Sequence, residues 1–311
     1  MRQSFEKEGA VEPNSIQQVA AVGVVGLGAM GGRFAGRLLD AGYEVHGTNR
    51  TSTAAQPLIA RGLRWHGTPR EVAAAEVVIS MVTDDAALEA ITAGPDGIVA
   101  GLLPHTVYVD MSSVSPHATM HTVERVRAAG AHMVDAPVSG SVPQAEQGTL
   151  AIMVGGDEAT FRRVEPVLRH FGRTVTHVGG NGAGALLKLA INISLAVQTL
   201  AFSEGLLVAE RGGIDPRLAA QVMADSPIGS PMLKTRVPLL LDLPDQAWFT
   251  IRLMHKDIRL ALDEAQRMGV VLPSAPAAAG VLDAADELGY AGRDIAGLHE
   301  VLAKISNEPA S

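Results

Sequence analysis

Residues 19–32, VAAVGVVGLGAMGG, decide how this chain is read. The first half is a β-branched run of the kind a buried strand uses. It breaks into Gly26-Leu27-Gly28-Ala29-Met30-Gly31 and continues as GRFAGRLLDAG, a helical pattern closed by Gly42. A G-x-G-x-x-G spacing by itself marks only a glycine-rich turn. Set between a strand and a helix, it is the cradle of a dinucleotide pyrophosphate. The first glycine makes the tight turn, the second lets backbone approach phosphate, and the third lets helix pack on strand. The helix start adds free N–H groups and a partial positive charge.

Working outward, short apolar runs alternate with helical segments. EVHGTN, EVVISMV, TVYVDM and AHMVDAP read as strands, and TAAQPLIARG, DDAALEAI and PHATMHTVERVRAAG as the helices between them. LAIMVGG, a helix over EATFRRVEPVLRHFG, and VTHVG extend the sheet. The pattern predicts a doubly wound, parallel α/β sheet of the Rossmann type over residues 19–180. Beyond Gly180 only helical patterns occur. They begin with a run of about 28 residues ending near Glu210, long for a globular helix. An all-α domain over 181–311, joined by that long interdomain helix, is therefore expected. Residues 1–18 are polar, carry three glutamates and read as a flexible tail rather than a signal peptide.

Bulk properties narrow the function. The formal net charge of −8 excludes nucleic acid as a general partner, because phosphate backbones need a basic surface. With no cysteine, disulfides, thiolate nucleophiles and cysteine-based zinc sites are ruled out, which fits a cytoplasmic enzyme. The apolar stretch from Leu186 to Leu207 contains Lys188, Asn192 and Glu204, so no membrane span is expected. His105, His117, His121, His132 and His177 share no ligand spacing, and no metal site is expected. His255 stands next to Lys256 without further support.

The second strand ends in Asn49-Arg50-Thr51. An NAD site usually places an acid here for the ribose 2′-hydroxyl. Arg50 instead suits a 2′-phosphate, which a carboxylate would repel. The cofactor expected is NADP(H), held by Gly26, Leu27, Gly28, Ala29, Met30 and Gly31 and by Asn49, Arg50 and Thr51. Val82, where EVVISMV ends, joins the candidate contacts.

Lys188 is a lone cation on an apolar helix, a position that usually means snorkelling to the surface. Asn192 lies one turn on, on the same face. A buried ammonium beside an amide is expensive without a task.

Five segments in order, GLGAMG (26–31), DMSSVSP (110–116), DAPVSGSVPQAEQGTLAIMVGG (135–156), GAGALLKLAIN (182–192) and KDIRLAL (256–262), resemble the β-hydroxyacid dehydrogenase family. That family includes 3-hydroxyisobutyrate dehydrogenases and the tartronate semialdehyde and glyoxylate/succinic semialdehyde reductases; imine reductases are related. The resemblance implies hydride transfer between NADPH and a small aldehyde acid or β-hydroxyacid. It gives Lys188 as the proton donor and acceptor, and Asn192 as its orienting neighbour. Ser139 and Gly140 are implied as the substrate-carboxylate contact, Ser113 and Lys256 as cofactor contacts, and Asp257 as what fixes Lys256. A homodimer or homotetramer is implied as well.

Two departures are visible. SGG is here Ser139-Gly140-Ser141, expected to narrow the substrate end. K-x-x-N-N keeps only Asn192, with Ile191 expected to make that side more apolar. An imine reductase is the alternative reading, although such enzymes commonly replace the lysine. A non-catalytic NADP-binding protein would need the glycines but not Lys188 with Asn192.

Overall fold

The structure is a computed structural model that describes residues 19–307; the tail expected at 1–18 lies outside them. Strand β1 (Ala21–Val25) leads through the glycine turn into α1 (Gly31–Asp40) and β2 (Glu44–Thr48). Then follow α2 (Gln56–Ile59), β3 (Arg64–Trp65), α3 (Pro69–Val72), β4 (Val77–Ser80), α4 (Asp85–Thr92), α5 (Ile98–Gly101) and β5 (Val107–Asp110). The sheet continues with α6 (Pro116–Ala128), β6 (His132–Asp135), β7 (Val138–Ser139), α7 (Val142–Gln147), β8 (Leu150–Gly155), α8 (Glu158–Leu168) and β9 (Gly172–Gly179). Strands β3-β2-β1-β4-β5-β6 lie side by side and all parallel.

Neighbouring residues of the central strands enter opposite cores. Val77, Ile79, Val107 and Val109 face one layer, while Val78 and Tyr108 face the other. A sheet covered on both faces needs such unbroken apolar runs, which is why these strands stand out in the sequence.

The sheet is parallel as expected, with an exception at the far edge. Strand β8 runs antiparallel to β6 and β7, and β9 is parallel to β8. The link from β6 to β8 holds only the two-residue β7 and the six-residue α7. A parallel return needs a full crossover connection, normally with a longer helix.

After β9 the chain is helical: α9 (Ala183–Arg211), α10 (Pro216–Asp225), α11 (Pro231–Leu241), α12 (Ile251–Arg267), α13 (Ser274–Glu287) and α14 (Leu298–Ile305). Side-chain caps start three of them: Asp215 for α10, Ser230 for α11 and Thr250 for α12. Helix α9 has 29 residues, about 43 Å at the usual rise. By length and composition it is the one helix among the described residues that would suit a membrane. Here it packs against β8 and against α12, α13 and α14.

The cores of the two halves share no side chain. Those around the sheet use residues up to Val175, and those of the helical half begin at Ile193.

Candidate active site

The glycine turn hangs on β2 and β4. Gly26 N–H donates to Thr48 O, Leu27 N–H to Asn49 Oδ1 at 3.1 Å, and Met81 N–H to Val25 O. Gly26 has φ +93°, and a side chain there would strike Met81 O. A Cβ on Gly31 would sit 1.9 Å from Gly26 O, so helix and turn touch only because that residue is glycine. Gly28 differs: a Cβ there meets nothing within 4 Å, because it faces the open crevice. Met30 starts α1 with no side-chain cap. The amides of Gly28, Ala29 and Met30 have no protein acceptor among the described residues. An open cradle of unpaired N–H groups at a helix start fits a pyrophosphate.

At the end of β2, Asn49 also donates to Thr51 O, fixing the loop next to the turn. Arg50 and Thr51 are exposed. This bend lies at the carboxyl edge of β2, beside the turn, and outside the main cavity.

That cavity, of about 450 Å³, opens between the sheet edge and the helical half. It is lined by Gly28, Ala29, Met30 and Gly31 of the turn, by Val82 and Ser113, by Ser139 and Gly140, and by Lys188, Asn192, Lys256 and Asp257. The candidates from five separate segments thus come together. Gly26 and Leu27 lie beneath the lining residues, as supports of the turn.

Lys188 Nζ donates to Asn192 Oδ1 at 3.0 Å. Asn192 Nδ2 donates in turn to Asp257 Oδ2, and both residues are 1% exposed. Asp257 Oδ1 lies 2.7 Å from Lys256 Nζ, close enough for an ion pair but without hydrogen-bond geometry. Lys256 Nζ also donates to the backbone carbonyl of Ser113, tying α12 to the loop after β5. The Lys188 ammonium is pulled down from 10.5 to about 8, chiefly because burial strips its water; Asp257 opposes this and Lys256 adds to it.

Ser139 ends the short β7, and Gly140 takes φ +125° where a side chain would run into Leu150. Ser141 lines the cavity, but its N–H and hydroxyl both bond Gln144 Oε1. Its hydroxyl is turned to α7. Ile191, expected on the apolar side of the site, does not line the cavity; Leu195 does. His255 faces Asp283, Asp286 and Arg259 on the other side of α12.

Several residues were missed from the sequence. Asp135, 1% exposed, accepts from the N–H groups of Gly182 and Ala185 at 2.8 and 2.9 Å, stapling the start of α9 to β6. Burial raises its carboxyl to about 6 despite those bonds. The far wall is built by Met232, Thr235 and Arg236 of α11 and by Trp248 and Phe249. It is organised by Asp294, which is wholly buried and accepts from Arg236 Nη1 at 2.7 Å and from the N–H groups of Trp248, Phe249 and Ala296. One signal pointed to this wall: aromatics make up only 4% of the chain, and two stand side by side at 248–249.

A dinucleotide turn opening onto a half-buried lysine defines a class, the nicotinamide-dependent oxidoreductases. The comparisons agree. Residues 21–179 match the NAD binding domain of 6-phosphogluconate dehydrogenase, and residues 182–302 the NAD-binding domain of NADP-dependent 3-hydroxyisobutyrate dehydrogenase. A 2-hydroxy-3-oxopropionate reductase of Escherichia coli is 37% identical over 81% of this chain and 87% of its own. A solved 3-hydroxyisobutyrate dehydrogenase of Mycobacterium tuberculosis, with L-serine, superposes with a TM-score of 0.80 at 30% identity, covering 92% of this chain and 99% of that one. An imine reductase from Pseudomonas sp. shares the fold at a TM-score of 0.62 and 22% identity, covering 92% of this chain and all of that one. The chain belongs to the β-hydroxyacid dehydrogenase family, the 3-hydroxyisobutyrate dehydrogenases and their relatives. It is an NAD(P)-binding enzyme of the dehydrogenase and reductase type that acts on CH–OH groups.

Proposed function

We propose that the enzyme uses NADP(H) to interconvert small aldehyde acids and their β-hydroxyacids, with Lys188 as the proton donor and acceptor. The observation that carries this is the chain Lys188–Asn192–Asp257, which lines one cavity with the glycine turn and Ser139–Gly140. The bound cofactor supplies or takes the hydride. Ser139 and the backbone at Gly140 receive the substrate carboxylate and fix the carbonyl toward Lys188. In reduction the Lys188 ammonium stabilises charge growing on the carbonyl oxygen and passes it a proton; in oxidation the free amine takes the proton back. Asn192 holds the lysine by its Oδ1 while Asp257 holds Asn192.

NADP is favoured over NAD by Arg50 at the end of β2, where no carboxylate stands to receive a 2′-hydroxyl. Assembly as a homodimer or homotetramer is supported by an exposed apolar stripe, Ile214, Leu218 and Val222, with Val208 nearby in sequence. The absence of cysteine suits the cytoplasm.

The test is cofactor oxidation with NADPH and NADH across small aldehyde acids and a cyclic imine, wild type beside Lys188→Ala. Turnover of an aldehyde acid that collapses in the variant is expected. Turnover of the imine alone, or activity indifferent to Lys188, overturns the reading in favour of imine reduction. Binding of NADPH without turnover of any substrate points to a non-catalytic role.

A further inference from the structure

The substrate cavity contains a cation that the reaction above leaves without a task. Three cations line it, Lys188, Lys256 and Arg236, against one carboxylate, Asp257. Lys188 serves the carbonyl oxygen, and Lys256 is paired with Asp257 and bonded to the Ser113 carbonyl. Arg236 remains. It is 6% exposed, and only its Nη1 has a protein partner among the described residues, Asp294 Oδ1. A guanidinium has five donors in a rigid fork and normally meets a carboxylate with two of them. Here Asp294 cannot answer in that way, because its second oxygen is taken by the Trp248 and Phe249 N–H groups. The remaining donors of Arg236 are not sealed from solvent and belong to the cavity lining, so a ligand there can supply their acceptor.

We infer that Arg236 reads a second acidic group on the substrate, so that the enzyme selects aldehyde acids and hydroxyacids bearing two carboxylates. This rests on the hydroxyacid reading and refines it. The first carboxylate lies at Ser139–Gly140, the carbonyl at Lys188, and the second carboxylate on the free side of the Arg236 fork. Met232 and Trp248 line the same wall and keep it apolar, which strengthens a charge-assisted bond there. Asp294 is a positioning residue that holds the guanidinium and the backbone of the wall in one arrangement. The second carboxylate takes no part in bond making; hydride and proton move as before.

The experiment measures oxidation by NADP⁺ of 2-(hydroxymethyl)glutarate and of 2-(hydroxymethyl)pentanoate, in which a methyl replaces the distal carboxylate. A pair one carbon shorter, 2-(hydroxymethyl)succinate and 2-(hydroxymethyl)butanoate, covers the spacing. Wild type is expected to favour at least one diacid by about tenfold or more in kcat/KM, carried by KM. In Arg236→Met that ratio falls to about one, and Arg236→Lys lies between. Because both substrates are read in one preparation, the ratio does not depend on how much of a variant is folded. Equal handling of diacids and monoacids by wild type, or a preference that survives in Arg236→Met, overturns the assignment of Arg236 alone. Turnover of neither class overturns the hydroxyacid reading itself, and this inference with it.

Discussion

Replacing Asp257 by Asn keeps shape and one hydrogen-bond acceptor but deletes the charge that holds Lys188 protonated. The two groups are joined through Asn192, with Lys188 Nζ 3.0 Å from its Oδ1 and the next bond shorter still. The charges thus lie on the order of 7 Å apart. At an effective dielectric of about 20 to 40, Coulomb's law gives about 1–2 kcal/mol, or about one pKa unit. The sign follows from the charge. Asp257 raises the Lys188 pKa, so its loss moves the group from about 8 down to about 7. On the proposed mechanism aldehyde reduction draws on the ammonium, so its rate is expected to fall as pH rises through that pKa. The assay is the pH profile of kcat for aldehyde-acid reduction, run with saturating cofactor. Wild type is half protonated near pH 8, and the variant roughly one-tenth, a deficit of roughly fivefold that fades by pH 6. In the oxidative direction the rising limb shifts to lower pH by the same amount. A limb that stays at its wild-type position or moves upward in Asp257→Asn refutes the argument, and with it the role of Asp257 as electrostatic partner of the lysine.

The glycine turn makes a contrasting pair. Gly31→Ala places a methyl against the Gly26 carbonyl and is expected to lower the melting temperature and abolish cofactor binding together. Gly28→Ala meets no protein atom; its melt should match wild type while the NADPH Kd rises about tenfold or more, as titration of cofactor fluorescence would show. Arg50→Ala should weaken NADPH by about tenfold and leave NADH within about twofold; an equal effect on both cofactors removes the 2′-phosphate role. Asp135→Ala leaves the Gly182 and Ala185 N–H groups buried without an acceptor, for an expected loss of about 2–4 kcal/mol in urea unfolding at neutral pH.

What could be read in the sequence and what could not divide along physical lines. The glycine turn was legible because each glycine answers a local steric demand within one strand and one helix. The central strands were legible because a doubly covered sheet fills them with apolar residues, with Ser80 and Asp110 only at their carboxyl ends. Strand β3, with two residues, and α7, with six, are too short to show a period. The reversal of β8 was hidden for the same reason, since direction depends on the length of the link before it. Lys188 and Asn192 could be paired by helical spacing. The wall around Trp248 could not, because its place is set by Asp294, more than 40 residues away in sequence. Arg236 reads as one more surface cation until its burial against that carboxylate is seen. Asp135 looked like any strand-ending acid, and its bond to the start of α9 spans 47 positions.

The absence of any side chain common to the two sets of cores bears on how the molecule comes apart. Where each set melts as its own cooperative unit, α9 is the mechanical splice between them. The glycine turn belongs wholly to the first unit, whereas the cavity is lined by Ser139 from the first and Asp257 from the second, both of which the proposed turnover uses. Under rising denaturant, catalysis therefore reports the weaker unit and dinucleotide binding reports only the first. A gap between those two transitions would measure how far the stabilities of the halves differ, and their coincidence would mean that the splice makes one unit of both.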